Sequence, residues 1–306
     1  MVARMDSWIR EHTGAERVRR PRALQTLWGG YGEILRVPLD GADVASVIVK
    51  RVTPGRGDGR SHQRKLRSYD VERAFYRRFA PRCADGCRVA RCHAADKTDD
   101  GWRFLLEDLD AAGFEGRRSA LSSAETDRCL EWLARFHATF MGVAPNGLWK
   151  EGTYWHLATR PDELAAIRDA GLRDAAGPLD EALRGATHRT LVHGDAKPAN
   201  FCFGYDAVAA VDFQYVGGGS GMRDVAYLLF GRRGWGAGDE GAEPLLDRYF
   251  RALRDALDPS IDADAVEAQW RALYPVARAD FHRFLAGWSP SARSVREYRA
   301  ALDALG

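Results

Sequence analysis

The sequence has few lysines, few cysteines, no long apolar run and almost no net charge. Only five of its 45 basic residues are lysines, and 43 acidic residues leave a formal charge of +2. So balanced a chain is not expected to bind nucleic acid through its overall charge. Because no stretch approaches the ~18 consecutive apolar residues of a membrane span, we also expect no association with a membrane.

The N-terminal segment and the cysteines bear on where the protein works. Residues 1–22 carry acids among their arginines and lack the apolar core of a signal peptide, so we predict a cytoplasmic protein. Five cysteines is an odd number, which argues against a closed disulfide framework. Cys83, Cys87 and Cys92 cluster, but their spacing lacks a second CxxC pair, so free thiols are a better interpretation than a zinc site.

Charge and pattern divide the chain into two predicted lobes. Residues 1–109 hold 22 basic and 15 acidic side chains, a net +7, whereas residues 110–306 hold 23 and 28, a net −5. Such asymmetry is typical of two lobes with different partners, and the alternative is chance distribution of solvated charges. The sequence predicts an α+β protein in which a small antiparallel β lobe with one main helix precedes a larger, mostly α lobe.

Apolar periodicity and turn residues place the elements. In the first lobe we predict a polar, glycine-rich loop at 53–63, a helix over 68–79, and strands within 24–37, 45–52, 87–94 and 102–108. In the second lobe a helix runs from Ser122 or Ser123 to Met141, and a strand-and-loop segment spans 190–215. Further helices are expected at about 161–185, 222–231, 243–257, 264–286 and 291–304.

One polar segment carries the strongest chemical signal. LVHGDAKPAN over 191–200 is followed by VDFQ over 211–214, and each polar turn comes directly after an apolar run. Asp195 can accept a proton, while Asn200 and Asp212 offer the hard oxygen ligands that Mg²⁺ prefers. Lys197 adds a cation two residues from the base. These are the parts that phosphoryl transfer requires, because that reaction depends on positioning and charge neutralisation.

HGDAKPAN followed by VDFQ resembles the catalytic and metal loops of the aminoglycoside-phosphotransferase and choline-kinase-like superfamily. The resemblance covers about residues 25–235, and DFQ together with Ser61–Tyr76 places it nearest the ecdysteroid-kinase-like branch. It implies a bilobal protein-kinase-like fold that uses ATP and Mg²⁺. A protein kinase is disfavoured, because only GGGSGM separates Tyr215–Val216 from the following Arg-Asp and leaves no room for an activation loop.

The resemblance implies a role for each matching residue. Asp195 matches the catalytic base, and Lys197 matches the contact to the γ-phosphate. Asn200 and Asp212 match the magnesium ligands, and Asp224 matches an aspartate that braces the catalytic loop. His193 and His137 are expected to be structural, in that loop and in the helical core.

The first lobe contains residues that match the nucleotide site. Lys50 lies inside an apolar strand, where a lone charge is rarely buried without purpose, and Glu72 lies on the next helix. A kinase-like fold needs such a pair to hold the α- and β-phosphates. Gly30 and Gly32, in GGYG, fit the turn that covers the phosphates, and a plain glycine hairpin is the alternative.

The end of the first lobe matches the hinge that pairs with adenine. The resemblance rests on position and on the E-D-L ending, and it assigns Glu107 and Leu109 to nucleotide binding.

We expect a small hydroxylated acceptor, with the lobe charges favouring a cation over an anion. Walls for it could come from aromatic residues and acids, namely Trp235, Tyr249, Trp270, Tyr274, Trp288, Asp239, Glu240, Glu243 and Glu267. Cation–π contact or plain burial would serve different acceptors, and the core is the preferred place for Tyr274 and Trp288. Alternatives to a kinase for a cationic metabolite or antibiotic are a kinase for a neutral, sterol-like alcohol and a catalytically silent nucleotide-binding protein.

Overall fold

The computed structural model describes residues 2–83, 86–232 and 241–305. The chain forms two compact units: unit 1 comprises Met1–Arg117 and Cys202–Val211, and unit 2 comprises Arg118–Phe201 and Asp212–Gly306. Unit 1 contains an antiparallel sheet and unit 2 is mostly helical, which confirms the predicted α+β class.

Unit 1 is built on one antiparallel sheet and two helices. The strands are β1 Arg17–Val18, β2 Arg22–Thr26, β3 Gly32–Asp40, β4 Ser46–Val52, β5 Cys92–Thr98 and β6 Gly101–Glu107, and the helices are α1 Val2–Thr13 and α2 Arg60–Arg78. The strand order is β1-β3-β4-β6-β5, and β2 also pairs with β3. A second pair of short strands, β8 Phe201–Phe203 and β9 Val208–Ala210, forms where the chain returns to this unit.

The alternation of side chains along β4 decides what each face of the sheet meets. Val47 and Val49 are buried in a cluster with Trp8 and Ile9 of α1. Successive residues of a strand point to opposite faces, so Lys50 is directed away from that cluster. It meets α2 instead, and this side of the sheet therefore carries the polar chemistry of the unit.

Three details of unit 1 differ from the predicted elements. Helix α2 begins at Arg60, eight residues before the predicted start. The prediction missed these residues because the first two turns are largely solvent-facing and show no apolar period. The strand predicted over 87–94 begins only at Cys92, and Val89 forms an isolated bridge with Ala210. Helix α1 was not predicted.

Unit 2 consists of helices around a short two-stranded sheet. The helices are α3 Ser123–Thr139, α4 Pro161–Ala166, α5 Ala170–Asp174, α6 Ala176–Arg184, α7 Met222–Gly231, α8 Ala242–Ala256, α9 Ala263–Trp288 and α10 Ala292–Asp303. The sheet pairs β7 Thr190–Val192 with β10 Gly217–Gly219. The single helix predicted over 161–185 is wrong: extended backbone at Ile167 and the cap formed by Asp169 separate α4 from α5, and Ala175 separates α5 from α6.

None of the helices within the described residues combines the length and apolar content needed to cross a membrane.

Candidate active site

The turn after β7 holds the predicted catalytic loop in unit 2. Gly194 adopts φ +80°, and a Cβ atom there would lie 2.1 Å from the carbonyl oxygen of Tyr215 and 2.8 Å from the backbone nitrogen of Thr153. Only glycine accepts both this conformation and this close approach. The glycine of HGD therefore allows the loop to pack against its neighbours and directs Asp195 out of the turn.

Asp195 is buried and held by two donors. Its Oδ2 accepts from Lys197 Nζ at 2.8 Å and from Asn200 Nδ2 at 2.9 Å. Burial raises the pKa of the carboxyl group, and the nearby Asp212 carboxylate raises it further, while Lys197 works in the opposite direction. Such an environment suits a general base, because it makes the carboxylate a better proton acceptor than an exposed aspartate.

Asn200 and Asp212 fit the requirements of a magnesium site. Both amide N–H groups of Asn200 point at Asp195, at its Oδ2 and, 2.8 Å away, at its carbonyl oxygen. That network leaves Asn200 Oδ1 as the amide atom that could ligate a metal ion. Asp212 has the left-handed conformation, with φ +69°, two residues after the end of β9 and at the start of a 3₁₀ turn. Within the described parts of the chain no three acidic, histidine or cysteine side chains gather around a metal position. A magnesium ion here would complete its shell with phosphate oxygens and water, as it commonly does.

Lys197 is the cation of the loop. Its side chain is 37% exposed and forms the ion pair with Asp195. Burial lowers the pKa of the ammonium group, but the Asp195 and Asp212 carboxylates outweigh that effect and raise it, so it stays charged. Its contact with a γ-phosphate stays a prediction.

Asp224 braces the predicted catalytic loop, in agreement with the expected structural role. At the start of α7 it is fully buried, and its carboxylate accepts the backbone N–H groups of His193, at 2.6 Å, and Gly194, at 2.9 Å. His137 on α3 is also fully buried and contacts the same carboxylate. The loop geometry is therefore set by a charge inside the helical core.

The predicted pair of unit 1 forms in the structure. Lys50 Nζ donates to both carboxylate oxygens of Glu72, at 2.8 and 2.7 Å, and both residues are buried. The rings of Tyr69 and Phe104 lie 5.7 and 5.8 Å from the ammonium group. The pairing is confirmed, and its role in holding phosphates stays a prediction.

The glycine turn joins β2 to β3. Gly30 and Gly32 have φ of +72° and +145°, and a Cβ atom at Gly32 would lie 2.0 Å from the carbonyl oxygen of Arg51. The N–H of Leu27 donates to the carbonyl oxygen of Gly32 at 2.8 Å and closes the turn. Trp28, at its tip, is 86% exposed. This turn presents backbone to solvent, and its cover over phosphates stays a prediction.

The predicted hinge residues lie at the end of β6. Glu107 pairs with Arg88 and accepts the N–H of Arg91; burial raises its pKa, but these partners outweigh burial and lower it. Leu109 is buried, and its carbonyl oxygen accepts the N–H of Phe114 at 2.8 Å. The Glu107 side chain is thus committed within unit 1, and pairing of this segment with adenine stays a prediction.

The aromatic residues predicted for the acceptor wall have different environments. Tyr249, Trp270 and Tyr274 are buried, which agrees with the core placement predicted for Tyr274. Trp288 was also expected in the core, but it is 52% exposed, because it lies at the very end of α9; its ring stacks on Phe284.

The acids predicted to attract a cation are paired wherever they are described. Glu267 lies 2.8 Å from Arg271, and Glu243 lies 3.5 Å from the same guanidinium group. Trp235, Asp239 and Glu240 lie outside the described residues.

Two tyrosines near Asp195 were not predicted from the sequence. Burial and the Asp195 carboxylate raise the pKa of Tyr154, and both also raise that of Tyr227, well above its usual value. Tyr227 lies three residues after Asp224, a spacing that places both on one side of α7 and could have revealed it. Tyr154 lies in a loop without any pattern, so no local signal pointed to it.

Known structures share this fold. A choline kinase from Cryptosporidium parvum Iowa II is 12% identical with a TM-score of 0.62, over 99% of this chain and 95% of that one. An amicoumacin kinase in complex with AMP-PNP, Ca²⁺ and Ami is 16% identical with a TM-score of 0.59, over 92% and 87%. An aminoglycoside 2′-phosphotransferase in complex with GDP is 12% identical with a TM-score of 0.52, over 98% and 94%.

Sequence comparison gives a family and no individual relative. No curated protein sequence matches the chain significantly. The more specific assignment to the ecdysteroid-kinase-like branch stays a prediction. The model of the phosphotransferase enzyme family matches residues 35–266, which include both the Lys50 strand and the Asp195 loop. The chain therefore belongs to the phosphotransferase enzyme family.

Proposed function

We propose that this protein is an ATP- and Mg²⁺-dependent kinase that phosphorylates a hydroxyl group of a small molecule. The observation that carries the proposal is the environment of Asp195, a buried carboxylate fixed by Lys197 and Asn200. Burial raises the pKa of Asp195, which makes its ionised form less stable. A carboxylate with a purely structural role gains nothing from this, whereas a general base becomes a better proton acceptor.

The proposed step is a direct transfer. The acceptor oxygen attacks the γ-phosphorus, the bond from that phosphorus to the β–γ bridging oxygen breaks, and ADP leaves. Asp195 takes the proton of the attacking hydroxyl, and Lys197 stabilises the charge on the transferred group. Mg²⁺, when bound by Asn200 and Asp212, supplies charge neutralisation for the phosphates. Lys50, oriented by Glu72, would hold the α- and β-phosphates.

The named ligands of the similar structures support a nucleotide as the phosphate donor. The amicoumacin kinase was captured with AMP-PNP and Ca²⁺, and the aminoglycoside phosphotransferase with GDP. We propose ATP as the donor, with residues 1–109 binding the nucleotide and residues 110–306 binding the acceptor. Comparing ATP with GTP at equal concentration tests this choice. We further propose that the protein works in the cytoplasm, without a nucleic acid partner.

A screen for ATP consumption tests the proposed function. It covers amino-alcohols, aminoglycosides, nucleosides and sterol-like alcohols, with wild type and Asp195→Asn measured side by side. Loss of a general base typically costs ~10²–10⁴ in rate, so Asp195→Asn should lose most turnover. Its nucleotide binding, measured by calorimetry, should be kept. Asp212→Ala should lose the metal-dependent part of that binding. Asp206→Asn, an exposed acid in the β8–β9 turn, is the matched control and should behave as wild type.

The outcome separates the kinase from a catalytically silent nucleotide-binding protein. A silent protein would bind ATP, consume none with any acceptor, and show no difference between wild type and Asp195→Asn. Near-wild-type turnover of Asp195→Asn with a true acceptor would remove Asp195 from the role of base.

A further inference from the structure

Five aromatic side chains form a continuous row in unit 2. Trp149 stacks on Tyr215 with ring centroids 6.1 Å apart, and Tyr215 lies 6.0 Å from Tyr154. Tyr154 then meets Phe284 edge to face at 5.3 Å, and Phe284 stacks on Trp288 at 5.8 Å. We call these five residues the aromatic row.

The aromatic row lies beside the proposed base. Tyr154 contacts Tyr227, with ring centroids 5.6 Å apart, and its backbone N–H donates to the carbonyl oxygen of Gly194, the residue before Asp195, at 3.0 Å. Tyr215 follows Asp212 by three residues on the same 3₁₀ turn. One part of the row therefore adjoins the reacting groups, and its outer end is Trp288, which is half exposed.

A resident cation already occupies ring faces of the row. The guanidinium carbon of Arg160 lies 5.7 Å from the ring centroid of Tyr154 and 5.4 Å from that of Phe284. Its Nε donates to the carbonyl oxygen of Tyr154 at 2.6 Å, and its Nη1 donates to Glu163 at 2.9 Å. Arg160 thus uses both the aromatic faces and the carboxylate that an ammonium group would need.

Close packing of two helices holds Arg160 in this position. A Cβ atom at Gly287 would lie 1.8 Å from the carbonyl oxygen of Glu163, so α4 rests directly on the glycine of α9. The same turn of α9 carries Phe284 and Trp288. Arg160 and Glu163 are therefore fixed over the row by backbone contact, and their side chains are only 11% and 16% exposed.

We propose that the aromatic row is the acceptor subsite and that it selects a neutral alcohol with an apolar ring over a cationic amine. The hydroxyl group would lie at Asp195, and the ring would bury apolar surface along Tyr215 and Trp288. An ammonium group would find the faces of Tyr154 and Phe284, and the Glu163 carboxylate, already occupied by Arg160. This inference rests on the proposed kinase function, and it favours the neutral acceptor among the alternatives that the sequence left open.

Matched acceptors test the proposal on the full chain. We choose 3-phenylpropan-1-ol as the neutral ring, choline as the cation, and glycerol as a neutral alcohol without a ring. Phosphorylation is followed as ADP release, and binding is followed by calorimetry with Asp195→Asn in the presence of ATP. We expect kcat/KM and affinity to be about tenfold higher for the phenyl alcohol than for choline or glycerol, as burial of one ring implies.

Substitution of Trp288 tests the row at an exposed position, where folding is least at risk. Trp288→Ala should raise KM for the phenyl alcohol about tenfold more than for glycerol. Tyr205→Ala, which removes another exposed aromatic ring, is the matched control and should leave both acceptors unaffected. Equal effects of Trp288→Ala on the two acceptors would overturn the subsite.

Substitution of Arg160 tests the selection against cations. Arg160→Ala leaves the rings and the Glu163 carboxylate to an incoming amine, so the ratio of kcat/KM for choline over the phenyl alcohol should rise about tenfold. Arg160→Lys keeps the charge and should keep the wild-type ratio. Thermal melting identifies an Arg160→Ala chain that fails to fold, and the Trp288 comparison then decides.

The results distinguish this inference from the proposed function. Preference of wild type for choline, or no binding of the phenyl alcohol to Asp195→Asn, overturns the neutral-ring inference and leaves the kinase standing. Absence of ATP consumption with every acceptor, without a difference between wild type and Asp195→Asn, overturns the kinase itself.

Discussion

His137 Nε2 lies 3.2 Å from Asp224 Oδ2 in the core of unit 2, where both side chains are fully buried. The other ring nitrogen, Nδ1, lies 2.7 Å from the hydroxyl of Tyr249. Because the Asp224 carboxylate can only accept, the network assigns the proton to Nε2 and makes Tyr249 the donor to Nδ1. Burial, followed by the charge of Asp224, raises the pKa of Tyr249 well above its usual value, which keeps it a donor. A chain of hydrogen bonds thus runs from α8 through α3 and α7 to the predicted catalytic loop.

The first prediction concerns this chain of hydrogen bonds. His137→Leu removes one donor from Asp224, which also holds the backbone of His193 and Gly194. We expect a fall in kcat that is larger than the change in KM for ATP. The free energy of unfolding should fall by about 1–3 kcal/mol, as for a buried group left unsatisfied. His137→Gln can still donate to Asp224 and should recover part of kcat. Equal losses of kcat in both variants would limit His137 to a structural role.

The second prediction concerns the buried pair of unit 1. Lys50→Met leaves the Glu72 carboxylate uncompensated and should lower the free energy of unfolding by about 3–5 kcal/mol. The double variant Lys50→Met, Glu72→Leu replaces both charges with apolar groups and should regain stability without regaining ATP affinity. Denaturant unfolding and calorimetry measure the two quantities separately.

A surface pair in the same unit provides the control for the buried one. Lys97 and Asp70 lie 3.1 Å apart, with side chains 52% and 32% exposed. Lys97→Met should change the free energy of unfolding by less than about 1 kcal/mol, because exposed ion pairs contribute little. Recovery of ATP binding in the double variant would contradict the phosphate role of Lys50.

The third prediction concerns the pH dependence of turnover. Asp195 must be ionised to accept a proton, and its pKa is raised, so kcat/KM should fall on acidification at a pH above the ~3.9 of an ordinary aspartate. Lys197 lowers the pKa of Asp195. Lys197→Met should therefore move the acid limb of the pH profile to higher pH. A shift to lower pH would exclude Asp195 as the group that titrates.

The fourth prediction concerns the cap of α3. Ser122 and Glu125 form a capping box, and the backbone N–H of Ser122 is the largest of the contacts that lower the pKa of Glu125 to about 2. A lowered folded-state pKa means that this stabilisation is complete above the ordinary value and is lost as pH falls towards 2. Ser122→Ala keeps that N–H but removes the hydroxyl that donates to the Glu125 carboxylate at 2.9 Å, so it should cost about 0.5–2 kcal/mol near neutral pH, and less in acid.

The cap of α10 is a matched control without a titrating group. Ser291 and Ser294 form the same reciprocal box there. Ser291→Ala should also destabilise the protein, but by an amount that does not change through the acid range in which Glu125 titrates. Chemical unfolding at several pH values compares the two variants, and an identical pH dependence would refute the assignment to Glu125.

Much of the site could be predicted because its residues lie close together along the chain. Asp195 and Asn200 occupy one turn, where an apolar strand, a glycine and a short spacing fix the geometry locally. Lys50 could be predicted because strand alternation makes a single charge in an apolar run conspicuous. The Lys50–Glu72 pair followed from one strand and one helix. In each case the sequence by itself determined the chemistry, since local backbone preference and periodicity were sufficient.

Only the tertiary structure decided which groups surround the acceptor. Tyr154, Arg160 and Phe284 belong to a loop, the start of a short helix and the end of a long one, and they meet because Gly287 lets α4 rest on α9. Trp288 has the spacing of a core residue, and its exposure depends on where α9 ends. Periodicity reports which face of an element is apolar, but it carries no information on which distant element covers that face. The charge and aromatic character of the acceptor subsite therefore arose from packing between segments that are far apart in sequence.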